Sequence, residues 1–119
     1  MKKNILLLTL SFFLLAQGFT QSKAEKKWIQ AQLKQLSLDE KIAQLMIIRA
    51  HSNWDAKKID TLTEIIKKYN VGGLCFFQGG PVRQALQTNF YQSIAKTPLL
   101  ITIDAEWGVG MRLDSVEVF

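Results

Sequence analysis

The chain has 119 residues, of which 48% are hydrophobic and 21% charged, with fifteen basic residues against ten acidic, one histidine and one cysteine. A single cysteine, Cys75, excludes an internal disulfide framework. The formal charge of +5 points first to nucleic acid, but it is concentrated at the N-terminus.

Lys2 and Lys3 precede a twelve-residue run, Ile5 to Ala16, that is almost wholly apolar. A charged start, a short apolar run and small residues soon after predict an export signal over residues 1–24. The run falls short of the roughly 20 apolar residues that a membrane-spanning helix needs. Ser22 and Ala24 suit cleavage after Ala24, with Ala16 and Gly18 offering an earlier site, and no cysteine lies nearby to carry a lipid. A retained N-terminal anchor is the alternative. Cleavage after Ala24 removes Lys2, Lys3 and Lys23, so twelve basic residues face ten acidic and the mature charge is +2. Lysine pairs at Lys26, Lys57 and Lys67 read as solvated helix faces, and no nucleic-acid partner is expected. Phosphate-cradling glycine motifs are absent as well.

Trp28, Ile29, Leu33 and Leu36 recur at helical spacing. Ser37-Leu38-Asp39-Glu40 has the form of a capping box and starts a second helix, with Leu38, Ile42 and Leu45 as its apolar stripe. LMIIRA then reads as a buried strand ending near Arg49, and His51-Ser52-Asn53 as a loop. Ile59, Leu62, Ile65, Ile66 and Tyr69 define a third helix, closed by Asn70. VGGLCFF is a second strand, with Cys75 a small buried hydrophobe and Phe76, Phe77 and Phe90 core residues. After the Gln78-Gly79-Gly80 turn, Pro81 suits the first position of a helix in which Val82, Leu86, Phe90 and Ile94 repeat. Thr97-Pro98 precedes the third strand, LLITID.

The order β, α, β, α, β with apolar strands predicts an α/β fold with a parallel sheet covered by helices. A doubly wound sheet and a (β/α)8 barrel both fit this pattern. A barrel takes about 250 residues, whereas 95 follow Ala24. With the abrupt end at Val118-Phe119, the expectation is the first three β/α units of a (β/α)8 barrel in residues 25–119, incomplete.

Alternation along the third strand sends Leu99, Ile101 and Ile103 one way and Leu100, Thr102 and Asp104 the other. Asp104 therefore ends the strand where parallel α/β folds bind ligands, and Gly108 and Gly110 let the backbone bring Arg112 back beside it. A carboxylate beside a guanidinium makes a polar clamp for hydroxyl groups. Arg49, at the end of the first strand, is expected either to pair with Asp104 or to support the same end of the sheet. His51 reads as a satisfied polar residue, and no spacing suggests a metal site. Glu106 reads as a brace for the loop and Trp107 as its packing, with stacking on a ligand face as the other reading for the indole.

LSLDEKIAQLM, the strand at Val71-Gly72-Gly73 and PLLITIDAEWGVGMR occur in the order that resembles the N-terminal domain of glycoside hydrolase family three, from about Leu36 to Leu113. That family carries D-x-E-G-G-x-x-x-R after its third barrel strand; Asp104 and Arg112 have the matching spacing, and Trp107 stands in place of the first Gly. A family eighteen chitinase also ends a strand on D-x-E, but Thr102 occupies a position where it needs another Asp. The resemblance implies an exported, retaining, exo-acting hydrolase that removes terminal β-linked N-acetylglucosamine or glucose from oligosaccharides or cell-wall glycans. DAEWGVGMRLD is closer to the β-N-acetylhexosaminidase-like exported members than to plant-type glucosidases. It assigns Asp104 and Arg112 to binding of the terminal sugar and no catalytic role to any residue here, since the nucleophilic Asp and the acid/base lie further along such chains. A carbohydrate is the expected partner, no cofactor or metal is implied, and the membrane enters only through export to the periplasm, cell surface or exterior. Two alternatives stand beside it: a noncatalytic carbohydrate-binding or pseudoenzyme barrel domain, and an interaction protein anchored by its N-terminus.

Overall fold

The computed structural model describes residues 22–116. Most of the expected export signal and the chain end at Val118-Phe119 lie outside the described residues. The chain divides into two compact units, Met1–Gln35 and Leu36–Phe119. In the first, helix α1 (Lys23–Gln35) realises the spacing of Trp28, Ile29 and Leu33, and Leu36 falls beyond its end. The Ser22 N–H donates to the Glu25 carboxylate at 2.8 Å and the Glu25 N–H to Ser22 Oγ at 3.2 Å, a reciprocal pair of the capping-box type.

The second unit begins with α2 (Leu38–Ala43), started by the expected capping box: the Glu40 N–H donates to Ser37 Oγ, and the Ser37 N–H to the Glu40 carboxylate. This helix is shorter than its pattern implies, because its C-terminal end is tied to the next helix terminus. The Gln44 side-chain amide donates to the Asn70 carbonyl at 2.6 Å, and the Gly72 N–H donates to the Ala43 carbonyl at 3.0 Å. Only Ala43 is buried, and Leu38, Ile42 and Leu45 are exposed, contrary to the expected stripe.

Strands β1 (Ile47–Ala50), β2 (Gly73–Phe76) and β3 (Leu100–Ile103) form one parallel sheet in the order β1-β2-β3. Helix α3 (Ala56–Tyr69) connects the first pair and α4 (Pro81–Ile94) the second. The protein is thus a mixed α/β fold with a small parallel sheet. Asp55 caps α3 by accepting from the Lys58 N–H. Asn70 ends that helix in the left-handed conformation (φ 56°, ψ 53°), and its side chain then bonds Thr97.

The register places Ile48, Leu74 and Ile101 in one row and Ala50, Phe76 and Ile103 in another. These rows face the core, with Leu62 and Ile66 of α3 and Tyr91 of α4 packed onto them. Ile47, Gly73 and Leu100, then Arg49, Cys75 and Thr102, make the rows of the other face, where Ile47 and Leu100 are exposed. Among the described residues the helices therefore cover one face of the sheet rather than both. Cys75 lies on the bare face and is only half-buried, which corrects its assignment to the core.

Helix α4 also turns a different side inward. Val82, Leu86 and Phe90 are exposed, while Tyr91 is buried and Ile94 packs at the core's margin. Polar anchors fix this rotation: Gln92 exchanges two hydrogen bonds with the Leu99 backbone, at 2.8 and 3.0 Å. The apolar content of α4 does not reveal it, because those anchors are polar. The Tyr91 hydroxyl is buried without a hydrogen-bond partner among the described residues, and burial pushes its pKa up.

One bare sheet face, the exposed residues of α2 and α4, and an apolar groove of about 430 Å³ between α2 and α3 leave much apolar surface in water. Residues 25–119 alone are expected to give no cooperative thermal transition by circular dichroism; a sharp two-state melt of the monomer would contradict this.

Candidate functional site

The bare face becomes polar at its C-terminal end. The Phe77 N–H donates to the Ala50 carbonyl at 3.0 Å and the Asp104 N–H to the Phe76 carbonyl at 3.2 Å, so the ladder continues one residue past each strand. Extending the register, His51, Phe77 and Asp104 form the next row on the bare face, above Arg49, Cys75 and Thr102. Period-two alternation keeps those six residues on the side opposite the core.

After Asp104 the chain turns through Ala105–Gly108, makes one 3-10 turn at Val109–Met111 and returns. Gly108 has φ 93°, a conformation that favours glycine, and its N–H bonds the Ala105 carbonyl at 3.1 Å. The returning segment is fixed to the β2–α4 loop: the Gly79 N–H donates to the Arg112 carbonyl at 3.2 Å, and the Asp114 N–H to the Gly79 carbonyl at 2.7 Å. Gly79 has φ 146° and a Cβ there would lie 1.8 Å from Ser52 Oγ, so no side chain fits. Ser52 is itself buried; its hydroxyl donates to the Gly80 carbonyl and accepts from the Gly80 N–H. Loop residue Ser52 thus locks Gly79-Gly80, which in turn hold the Arg112 backbone.

Arg112 then reaches Asp104 twice. Its Nε donates to the Asp104 carbonyl at 2.5 Å and its Nη2 to Asp104 Oδ2 at 2.8 Å. The two side chains are 20% and 34% exposed, so the clamp is partly sheltered but open on one side. Among the described residues, Oδ1 of Asp104 and the remaining Arg112 N–H groups have no hydrogen-bond partner. A ligand hydroxyl fits that pair, giving its proton to the carboxylate and accepting from the guanidinium.

Arg49 does not pair with Asp104. Its Nε donates to His51 Nε2 at 2.7 Å, and its guanidinium carbon lies 4.7 Å from the centre of the Phe77 ring. The Arg112 guanidinium carbon lies 5.0 Å from the same centre. Phe77 is therefore a half-buried platform for two cations, not a core residue, and Phe90 is exposed; of the three phenylalanines assigned to the core, only Phe76 is buried there. The ring alternation that separates Phe76 from Phe77 was available in the sequence. His51 also stacks on Trp54, with centroids 5.0 Å apart.

Glu106 is exposed and does not brace the loop, whose amides bond to backbone carbonyls and, from Trp107, to Met111 Sδ. Trp107 is 83% exposed, which overturns the expectation that it packs the loop. Among the described residues no group of three His, Cys, Asp or Glu is placed to hold a metal ion, and no helix is long and apolar enough to cross a membrane.

Compared with known proteins, the model of the glycosyl hydrolase family 3 N terminal domain matches residues 37–119. No curated protein matches the chain.

Burial holds the His51 pKa below its ordinary value of 6.5, reinforced by the charges of Arg49, Lys58 and Arg112. The unfolded imidazole takes up its proton first, so folding stability falls as pH drops from 6.5 toward the folded value and is unaffected above it. An NMR titration of the His51 ring should give a midpoint below 6.5 that rises in Arg49→Gln; a midpoint at or above 6.5 contradicts the burial and the contact.

Proposed function

This chain belongs to glycosyl hydrolase family 3, and from that premise we propose that it is the first part of a (β/α)8 barrel in an exported, retaining, exo-acting β-glycosidase. Its substrates are oligosaccharides or cell-wall glycans ending in β-linked N-acetylglucosamine or glucose. The single observation that supports this reading most is the clamp of Arg112 on Asp104 at the C-terminal end of the third parallel strand, the end at which barrel enzymes carry their sites.

Asp104 and Arg112 hold the terminal sugar by its hydroxyls. Binding a non-reducing end this way fixes the ring, so that the glycosidic bond projects toward groups outside this segment. Retaining chemistry needs a nucleophilic carboxylate on one side of that bond and an acid on the other, about 5 Å apart. Asp104 is committed to Arg112 and Glu106 stands free in solvent, so neither fills those roles. The nucleophile and acid/base belong to residues beyond Phe119, and the apolar sheet face is covered by the remaining barrel strands and their side chains. Residues 1–24 direct export and are removed.

The test is an assay of the full-length gene product on chromogenic β-N-acetylglucosaminides and β-glucosides. Turnover is expected, and Asp104→Asn or Arg112→Gln should lower kcat/KM on the order of a hundredfold, because each removes a charged hydrogen bond to the sugar. Tight sugar binding without turnover would instead make this a noncatalytic carbohydrate-binding domain. The exported protein should begin near Glu25 when its N-terminus is sequenced, and a retained Met1 would contradict the signal.

A further inference from the structure

Ser52 lies in the loop between β1 and α3 and is only 2% exposed, although loop serines are ordinarily solvated. Among the described residues its hydrogen bonds run to Gln78, Gly80 and Gln87, and none reaches Asp104 or Arg112. Its N–H donates to the Gln78 carbonyl at 3.0 Å. Its hydroxyl accepts from the Gly80 N–H at 3.0 Å and donates to the Gly80 carbonyl at 3.2 Å. One loop therefore grips the backbone of the next on both sides of Gly79.

The two bonds of that hydroxyl are not equivalent. The Gly80 carbonyl has a second donor, the Gln84 N–H at 2.9 Å, whereas the Ser52 hydroxyl is the acceptor that serves the Gly80 N–H. Gly79 and Gly80 are buried, so removing the hydroxyl strands an N–H away from water. Moving the Gly79-Gly80 peptide outward relieves it. Gly79 bonds the Arg112 carbonyl at 3.2 Å and the Asp114 N–H at 2.7 Å, so the movement passes to Arg112. Arg112 tolerates little of it, because its Nε and Nη2 must meet the carbonyl and the carboxylate of Asp104 together. A misplacement of about 1 Å in a binding group costs up to about a hundredfold in rate.

We propose that Ser52 is a positioning residue for recognition of the terminal sugar, setting the clamp through Gly80, Gly79 and the Arg112 backbone without touching the sugar itself. This rests on the hydrolase reading above. A serine that served the fold alone would lower the rate in the same proportion whatever stood at position 112. A serine that acts through Arg112 loses its effect once the guanidinium is gone.

The experiment is a double-mutant cycle on the full-length gene product. It reads kcat/KM on the aryl β-N-acetylglucosaminide or aryl β-glucoside that the protein turns over, with folding of each variant checked by circular dichroism. Ser52→Ala should lower kcat/KM roughly fivefold to fiftyfold, the range for a buried neutral hydrogen bond left unmade. Made in Arg112→Gln, the same change should cost less than about twofold. Ser52→Cys fills the space with a weaker donor and acceptor and should fall between serine and alanine. An unchanged rate in Ser52→Ala overturns the inference, and so does an equal loss with and without the Arg112 guanidinium. Should Ser52→Ala not fold, the cycle is run with Ser52→Cys; if neither folds, Ser52 serves the fold alone and the inference is overturned. Those results, obtained with an unaltered protein that turns over its substrate, overturn this inference alone, whereas no turnover of either glycoside overturns the hydrolase reading with it.

Discussion

The double hydrogen bond from Arg112 to Asp104 is the contact on which the site depends. One guanidinium holds both the carbonyl and the carboxylate of the same residue, and so closes the loop between them on the end of β3. An ion pair this exposed contributes on the order of 1 kcal/mol or less to stability. Its importance is geometric, because it fixes which oxygen of Asp104 is occupied and which faces outward. Rigidity comes from the backbone beneath it. Ser52 fills the space that a side chain on Gly79 would take, and Gly79 bonds the carbonyl of Arg112 and the N–H of Asp114.

The sheet divides labour between its faces. Ile48, Leu74, Ile101, Ala50, Phe76 and Ile103 anchor the helices, while alternation sends Arg49, Phe77, His51 and Asp104 to the other side. Parallel strands bring these residues to one end together, since every strand in the sheet finishes there. The same alternation leaves Ile47 and Leu100 bare lower on that face. Polar groups at the strand ends above apolar groups at mid-strand is the gradient that a barrel closing over this face would need, with a packed interior beneath a wet mouth.

Local chemistry made much of the fold legible. Ser37 and Glu40 announce a helix start, Asn70 tolerates the left-handed turn that ends another, and Pro81 opens a third where its missing N–H does no harm. Asp104 and Arg112 were legible as a pair because their spacing spans a glycine-containing loop. What failed was the orientation of helices. Val82, Leu86 and Phe90 have the spacing of a buried stripe, yet Gln92 and its bonds to Leu99 turn that stripe outward. The stripe of Leu38, Ile42 and Leu45 likewise predicts a longer helix than Gln44, committed to the Asn70 carbonyl, allows. Nothing local in the sequence links Phe77, Arg49 and His51, and only the register across strands joins them into a cluster. Ser52 was hidden in a loop because nothing local tells a buried serine from a solvated one.

The most direct measurement is a crystal structure of the full-length gene product with N-acetylglucosamine or glucose bound. A sugar hydroxyl is expected within hydrogen-bond distance of both Asp104 and Arg112, with the bond between those residues intact. A sugar bound elsewhere, or Asp104 and Arg112 separated around an empty site, would contradict it.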